Sequence, residues 1–194
     1  MHASGCRRAA IRTVGRVIAV FLVIWCPLPP AAHGTPSAAD GRGPAEIGAP
    51  RPALELDAID GALVNDARVA DRPLVVDFFA TWCEPCGRAL ADMTAAKHAA
   101  AADIVLVLVD LGEPSDVVQR WMATARLPAN AIVALDPTGI VARRWGAHRI
   151  PTTFVVDGAG VVRHINRGWG PGYRARLSRW LRDVAASPPA RSRP

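Results

Sequence analysis

The stretch Trp82-Cys83-Glu84-Pro85-Cys86 places two thiols, with two residues between them, directly behind an apolar segment. That segment, residues 74–80, is rich in Val and Phe and predicts a buried strand. Pro85 and the good helix formers after it predict a helix that continues to about residue 100. A strand, a short turn and a helix therefore meet at a cysteine pair.

The position of the two cysteines indicates redox chemistry. Cys83 falls at the N-terminus of the predicted helix, where unpaired N–H groups and the positive end of the helix dipole favour a thiolate. Cys86, three residues on, shares one helix face with Cys83, so a disulfide between them can open and close with little backbone movement. Cys83 is therefore the expected nucleophile.

Two other roles for the pair are less favoured. A zinc site takes four ligands, and the sequence contains neither a second Cys-x-x-Cys pair nor a His-x-His cluster. A purely structural disulfide across two intervening residues would constrain little of the unfolded chain. Redox function remains the favoured interpretation.

The N-terminal segment has the features of an export signal. Its basic leader is followed by an apolar run over residues 17–26, which is shorter than the ~20 residues that span a bilayer. Small residues follow at 31–34, so we expect a cleaved signal peptide over residues 1–34, with an uncleaved anchor as the alternative. The leader's basic residues are Arg7, Arg8, Arg12 and Arg16.

Export would leave a chain with one cysteine pair. Cys6 and Cys26 lie in the leader, so its removal leaves Cys83 and Cys86 alone, as expected of a dedicated redox pair in an exported protein. The expected location is extracytoplasmic, in a periplasm or cell envelope, with membrane tethering through the N-terminal segment as an option.

Length and charge limit the remaining possibilities. Without the leader, the 194 residues leave room for one domain, which we place at residues 46–186 after a flexible linker at 35–45 and before a tail at 187–194. The formal charge of +6 falls to +2 without the four leader arginines, which gives nucleic-acid binding no support. Eleven arginines and two acids lie from Arg143 onward, which fits a solvated helix face, or else a docking surface for an acidic partner or for anionic lipid headgroups.

Strands alternate with helices along the predicted domain, which favours an α/β fold with a mixed central sheet flanked by helices. An N-terminal β-hairpin is expected first, around the turn at Asp60-Gly61. The strands are predicted at 74–80, 104–109, 131–135, 152–156 and 161–165, and the helices at 85–100, around 115–125, up to Trp145, and from Tyr173 to Val184.

Three features resemble the thioredoxin superfamily, and within it the exported TlpA-like, ResA-like and DsbE-like thiol-disulfide oxidoreductases. The segment from Phe78 to Cys86 is similar to their Phe-Trp-Ala-x-Trp-Cys-x-Pro-Cys signature. Ile150-Pro151-Thr152 resembles the family loop whose proline is cis and faces the cysteines. The N-terminal hairpin and the added central helix complete a resemblance that covers about residues 46–186 and implies a thioredoxin fold.

The resemblance implies roles for the residues around the disulfide. Cys83 would be the exposed attacking sulfur and Cys86 the buried sulfur that resolves the mixed disulfide. Trp82 and Pro85 would shield the sulfurs and contact substrate.

The loop that resembles the cis-proline loop would complete the substrate site. The backbone of Ile150, beside Pro151, would pair with an extended substrate segment. Arg149 would rim the groove and favour the Cys83 thiolate through its positive charge.

Asp77 is the candidate proton acceptor. It interrupts an apolar strand six residues before Cys83, where a carboxylate is costly unless it is used, and it matches the buried acid of thioredoxins. Burial would raise its pKa and let it take the Cys86 proton near neutral pH. The alternative is an Asp that satisfies a local hydrogen bond. The chain departs from the ResA-like pattern at Ala89 and Ala91, where those relatives have an acid and a proline.

The expected function is reduction of specific disulfides in exported proteins, as the resemblance to cytochrome c maturation reductants implies. No bound cofactor, metal or nucleic acid is expected. The expected partners are proteins that carry a disulfide or dithiol, and a membrane dithiol that donates electrons. The protein itself is expected to be a monomer. The alternatives are a disulfide-forming oxidase and a copper metallochaperone that uses Cys83, Cys86 and His148. A non-catalytic binding module is disfavoured by the intact thiol pair.

Overall fold

The computed structural model describes residues 43–100, 103–128 and 130–187. The predicted leader, most of the predicted linker and residues 188–194 of the predicted tail lie outside these ranges. The described residues form seven strands and four helices. In chain order these are β1 (Glu55–Ala58), β2 (Leu63–Asn65), β3 (Leu74–Phe79), α1 (Glu84–Ala100), β4 (Val105–Asp110), α2 (Ser115–Met122), β5 (Ala131–Leu135), α3 (Ile140–Trp145), β6 (Thr152–Val156), β7 (Val162–Arg167) and α4 (Tyr173–Ala185).

The strands form one mixed sheet in the order β2-β1-β5-β4-β3-β6-β7. β3, β4 and β5 are parallel, because α1 and α2 carry the chain back between them. β6 and β7 continue the sheet as an antiparallel hairpin on the other side of β3. The predicted mixed sheet, N-terminal hairpin and added central helix are confirmed.

Strand β3 lies inside the sheet and all six of its residues are buried, which explains its continuous apolar run. Alternation along the strand sends Val76 and Phe78 into a cluster with Trp145 and Phe154. The rings of Phe78 and Phe154 pack edge to face, with centroids 5.8 Å apart. This cluster fills one face of the sheet.

The opposite face of the sheet holds the cysteine pair. Val75 and Phe79 of β3 pack there with residues of α1 and α4. Asp77 lies between them and points to the same face, because side chains two apart on a strand share a face. The cluster's members from the two helices include Cys86, Ala89, Met93, Tyr173, Leu177 and Leu181.

The observed elements differ from the predicted ones at their ends. β4 runs one residue further than predicted, to Asp110, and β7 runs to Arg167 rather than 165. Ala45, assigned to the linker, is only 4% exposed and packs in the core. Its neighbour Pro44 approaches Gly146 so closely that a Cβ there would lie 3.2 Å from the proline Cβ. Order in the domain therefore begins before residue 46.

None of the helices within the described ranges has the length and apolar character that crossing a membrane takes.

Candidate active site around the cysteine pair

The end of β3 and the start of α1 position the cysteines. The chain leaves the strand at Phe79 and turns, with the N–H of Cys83 donating to the C=O of Ala80 at 3.1 Å. Cys83 stands immediately before the first helical residue, and its C=O accepts the N–H of Cys86 at 3.0 Å. Cys83 is thus at the N-terminus of α1, where the helix dipole favours a negative charge on its sulfur.

The two sulfurs form a disulfide of 2.03 Å with the Cα atoms 5.2 Å apart. Cys83 is 7% exposed and Cys86 is 3% exposed, so both are buried in the oxidised form and Cys83 is the slightly more accessible residue. Both pack in the cluster between the sheet and helices α1 and α4. An exposed Cys83 and a buried Cys86 were predicted, but in the oxidised form the two residues differ only slightly in exposure.

The cis-proline loop lies beside the strand that leads to the cysteines. The Ile150–Pro151 peptide is cis, as the resemblance implied. The antiparallel register pairs Thr152 with Phe78, so the chain just before β6 runs next to the chain just after β3. The Pro151 C=O accepts the N–H of Gly168 at 2.7 Å, which fastens the loop to the end of β7.

The backbone of Ile150 is available for pairing. Within the described ranges, neither its N–H nor its C=O forms a backbone hydrogen bond. Its side chain is half-buried and packs against the cluster that contains both cysteines. An extended peptide could pair with these backbone groups while a disulfide is presented to Cys83.

Exposed aromatic and charged residues, which we call the rim, lie beside Cys83 in the sequence and at the start of the cis-proline loop. Trp82 is 73% exposed, so most of its indole faces solvent rather than covering the disulfide, and Pro85 is also exposed. His148 and Arg149 are exposed at the start of the cis-proline loop. The substrate contacts assigned to Trp82, Pro85 and Arg149 stay predictions, as does the shielding role assigned to Trp82 and Pro85.

Trp169 is a rim residue that the sequence did not reveal. It follows β7, packs against the cysteine-containing cluster, and donates from Nε1 to Asp92 Oδ2 at 2.9 Å. The guanidinium of Arg88 lies 5.1 Å from the centre of its ring. In the sequence, only the glycines at 168 and 170 on either side of Trp169 could have drawn attention to this residue. Its partners lie on α1, which is far away in the sequence.

Asp77 is buried and hydrogen-bonded in a chain of three side chains. It is 1% exposed, and its Oδ1 accepts the Thr153 hydroxyl at 2.7 Å. The Thr153 oxygen lies 2.9 Å from the Tyr173 hydroxyl. Because Thr153 gives its one proton to Asp77, Tyr173 donates to Thr153.

The surroundings of Asp77 suit proton exchange near neutral pH. Burial raises the pKa of Asp77 to about 7, while the Thr153 hydrogen bond acts in the opposite direction. Burial also raises the pKa of Tyr173, so that hydroxyl keeps its proton and acts as a donor. The local hydrogen bond that was weighed against a functional role is therefore present and leaves the carboxyl able to titrate.

Replacing Thr153 by Val should raise the pKa of Asp77 above its value of about 7. A hydrogen bond to a charged group contributes roughly 1.5–3 kcal/mol, so we expect an increase of about one pH unit or more. Carboxyl carbon NMR shifts of Asp77 recorded against pH would measure it. Thr153→Ser keeps the hydroxyl and serves as the matched control; an equal effect of both substitutions would contradict the assigned hydrogen bond.

Among the described residues, no three His, Cys, Asp or Glu side chains are grouped closely enough to hold a metal ion.

Comparison with known proteins identifies similar chains. Residues 47–165 match the model of the AhpC/TSA family. A thiol:disulfide interchange protein DsbE homolog from Paracoccus denitrificans is 33% identical over 98 residues, or 48% of this chain and 50% of that protein. The thiol-disulfide oxidoreductase ResA of Bacillus subtilis is 26% identical over 163 residues, or 84% of this chain and 86% of that protein.

The extent of these matches differs. The matched region spans half the length of the Paracoccus relative and 61% of a thiol:disulfide interchange protein DsbE from Xylella fastidiosa. Among solved structures, a thiol:disulfide interchange protein of the thioredoxin family from Chlorobium tepidum has a TM-score of 0.57 at 27% identity. That similarity covers 71% of this chain and 96% of the Chlorobium chain.

Proposed function

Because this chain belongs to the AhpC/TSA family of thioredoxin-like proteins, we propose that it is a thiol-disulfide oxidoreductase that exchanges disulfides with other proteins. The observation that carries this proposal is the Cys83–Cys86 disulfide at the start of α1. The disulfide lies on the same face of the sheet as the buried Asp77 and close in register to the cis-proline loop. The names of the Paracoccus and Bacillus relatives support the same activity.

The proposed reaction transfers two electrons from the dithiol form. The Cys83 thiolate attacks one sulfur of a substrate disulfide, forming a mixed disulfide and releasing the other substrate sulfur as a thiolate that takes a proton. The Cys86 thiol then gives its proton to the Asp77 carboxylate and attacks Cys83. This step forms the Cys83–Cys86 disulfide, releases the second substrate sulfur, and leaves the substrate reduced.

The rim would hold the substrate during this exchange. The free backbone groups of Ile150 would pair with an extended segment beside the substrate cysteine. Trp82 and Pro85 offer exposed apolar surface next to Cys83, and Arg149 offers positive charge at the start of the cis-proline loop.

We propose that the protein acts outside the cytoplasm, mainly as a reductant. The basic and apolar leader over residues 1–34 supports export, and the proposal places a linker after it, a catalytic domain that includes Ala45 and ends at residue 186, and a tail at 187–194. The oxidised pair must be reduced again after each turnover, so a membrane dithiol donor would supply electrons. Specific substrates in cytochrome c maturation and action as a monomer are parts of the same proposal.

The reduction potential of the pair tests the assigned direction. We expect a value near that of thioredoxin, ~−270 mV, together with reduction of insulin disulfides by the dithiol form. Equilibration with glutathione or thioredoxin followed by mass spectrometry of alkylated thiols measures the potential. A value near the ~−120 mV of a strong oxidant would instead assign a disulfide-forming oxidase. One bound equivalent of Cu(I), with no insulin reduction, would assign a metallochaperone.

A further inference from the structure

The turn that carries Cys83 is held by an acidic side chain from a different part of the fold. The Glu113 carboxylate accepts the Thr81 N–H at 2.5 Å and the Thr81 hydroxyl at 2.7 Å. Thr81 is the first central residue of the turn closed by the hydrogen bond from Cys83 to Ala80. Glu113 therefore restrains the backbone two residues before Cys83.

The path of the chain after β4 brings Glu113 to this turn. The N–H of Leu111 continues the pairing with Phe79 at 3.1 Å, and Gly112 then adopts a positive φ of 80°. A residue with a side chain is strained in that conformation, so glycine suits the turn. The chain reverses there and the Glu113 side chain reaches back to the end of β3.

Asp110, the last residue of β4, supports Glu113 from inside the protein. Its Oδ1 accepts the N–H of Glu113 at 3.0 Å. Asp110 is 0% exposed, and among the buried side-chain atoms of the described residues its Oδ2 is the one without a hydrogen-bond partner. A buried carboxylate oxygen with no donor is costly, whereas a protonated Oδ2 becomes a donor itself.

The charges of the two acids are consistent with one shared proton. Burial, together with the side chain and negative charge of Glu113, raises the pKa of Asp110 to about 7, although the hydrogen bond from the Glu113 N–H acts in the opposite direction. Burial acts to raise the pKa of Glu113 as well, but the hydrogen bonds from Thr81, and one that the Asp110 side chain can donate once Oδ2 is protonated, lower the pKa of Glu113. Below about pH 7 the proton therefore resides on Asp110 and the negative charge on Glu113.

The other acids near Asp110 are directed elsewhere. Asp77 on β3 is bonded to Thr153, and Asp136 after β5 accepts the N–H of Ala142 at 2.8 Å. Asp116 on α2 pairs with Arg120 at the surface, and Glu84 on α1 pairs with Arg88. Among the described residues, Glu113 is the charged group that acts on the pKa of Asp110.

We infer that Glu113 is a positioning residue for Cys83, and that it holds Thr81 with a carboxylate that a protonated Asp110 keeps in place. This inference rests on the proposed function in taking Cys83 as the attacking thiol. The pair acts through Thr81 and does not touch the reacting sulfurs.

Variants of all three residues test the inference in reduced protein. Glu113→Ala should lower kcat/KM for insulin reduction and the alkylation rate of Cys83 by iodoacetamide by about tenfold or more, because the turn loses both restraints. The same two rates should lie between wild type and Glu113→Ala in Thr81→Val, and they should return to the wild-type level in Thr81→Ser. Asp116→Asn, an exposed acid of the neighbouring helix, is the control and should stay at the wild-type rate.

The Asp110→Asn variant tests whether Asp110 acts on Glu113 as a protonated carboxyl or as an ionised one. The amide of the Asn variant can donate to Glu113 as a protonated Asp110 does. At pH 6 the alkylation rate of Cys83 in Asp110→Asn should therefore stay within about twofold of wild type, while in Asp110→Val it should fall about tenfold. The alkylation rate of Cys83 in Asp110→Asn, divided by the wild-type rate, should rise as the pH passes about 7, because wild-type Asp110 then ionises beside Glu113.

Three results would overturn the inference. They are a Glu113→Ala variant with unchanged alkylation, an Asn variant as slow as the Val variant at pH 6, and an Asp110 carboxyl that titrates near 4 in carbon NMR. A wild-type protein that reduces no disulfide would instead contradict the proposed function. The NMR titration and the alkylation rates would still decide the role of the acidic pair in that case.

Discussion

The Cys86→Ala variant, once reduced, should remain covalently attached to the first disulfide substrate it attacks. Cys83 can still form the mixed disulfide, but the sulfur that would displace the substrate is gone. Multiple-turnover insulin reduction should fall by about a thousandfold or more, as expected when a group that acts in a catalytic unit is removed. Intact-protein mass spectrometry under non-reducing conditions would show an adduct of one chain with one substrate.

The matched control is Cys83→Ala, which retains Cys86. Cys86 is only 3% exposed and lies one turn inside α1, so this variant should form no adduct under the same conditions. Equal trapping by both variants would mean that either sulfur can attack. Trapping through Cys86 alone would reverse the assigned roles. The same Cys86→Ala protein, exposed to exported proteins, would identify the natural substrate.

Asp77→Asn should slow the resolving step while leaving the first attack intact. Burial raises the pKa of Asp77 to about 7, so the carboxylate can accept the Cys86 proton at and above that pH. The amide can still accept the Thr153 hydrogen bond but cannot take the proton. Loss of a general base typically costs 10²–10⁴-fold, and we expect about a hundredfold loss in release of substrate from the mixed disulfide at pH 7.

Rapid-quench measurement of that release between pH 6 and 9 would test this prediction. The deficit should shrink as pH rises, because Cys86 then ionises without help. Alkylation of Cys83 should match wild type, and Asp57→Asn, an exposed acid on β1, provides a control. A variant that resolves at the wild-type rate at pH 7 would assign the proton to another acceptor.

The same substitution should change how stability depends on pH. The pKa of an unfolded Asp is ~3.9. Burial raises the pKa of Asp77 to about 7 in the folded protein, which therefore binds the extra proton between these two values. The stability that this group contributes is fully present below about pH 4 and is lost as pH rises through about 7. At pH 8 the wild type should therefore be less stable than Asp77→Asn by up to roughly 3–4 kcal/mol. Urea unfolding at pH 4.5 and 8 would measure the difference.

Local patterns in the sequence predicted most of the fold correctly. The apolar run before Cys83 forms the central strand β3, and the hairpin around Asp60-Gly61 pairs β1 with β2 as expected. The cis peptide before Pro151 was implied by the family resemblance. The strand and the hairpin depend on residues that are adjacent or nearly adjacent in the chain, where periodicity and turn chemistry act directly.

Residues that act through long-range contacts were not predicted. Thr153 and Tyr173 reach Asp77 only because β6 pairs with β3 and α4 packs over the same face. The sequence predicts only a strand that contains Thr153 and a helix that begins at Tyr173. The sequence predicts that this strand ends at residue 109, one residue before Asp110. It predicts no role for Glu113, because the partner of Glu113, Thr81, lies 32 residues earlier in the chain.

The sequence by itself determined that two thiols stand between a buried strand and a helix, with one acid inside that strand. Spacing, strand alternation and helix-start chemistry are local properties, so they can be inferred without coordinates. Only the tertiary structure decided how the protons around those thiols are arranged. The folded sheet brings Thr153 and Tyr173 to Asp77, and it brings Glu113 to Thr81, in each case from distant segments. Burial in the folded chain then raises the pKa values of Asp77 and Asp110 to about 7.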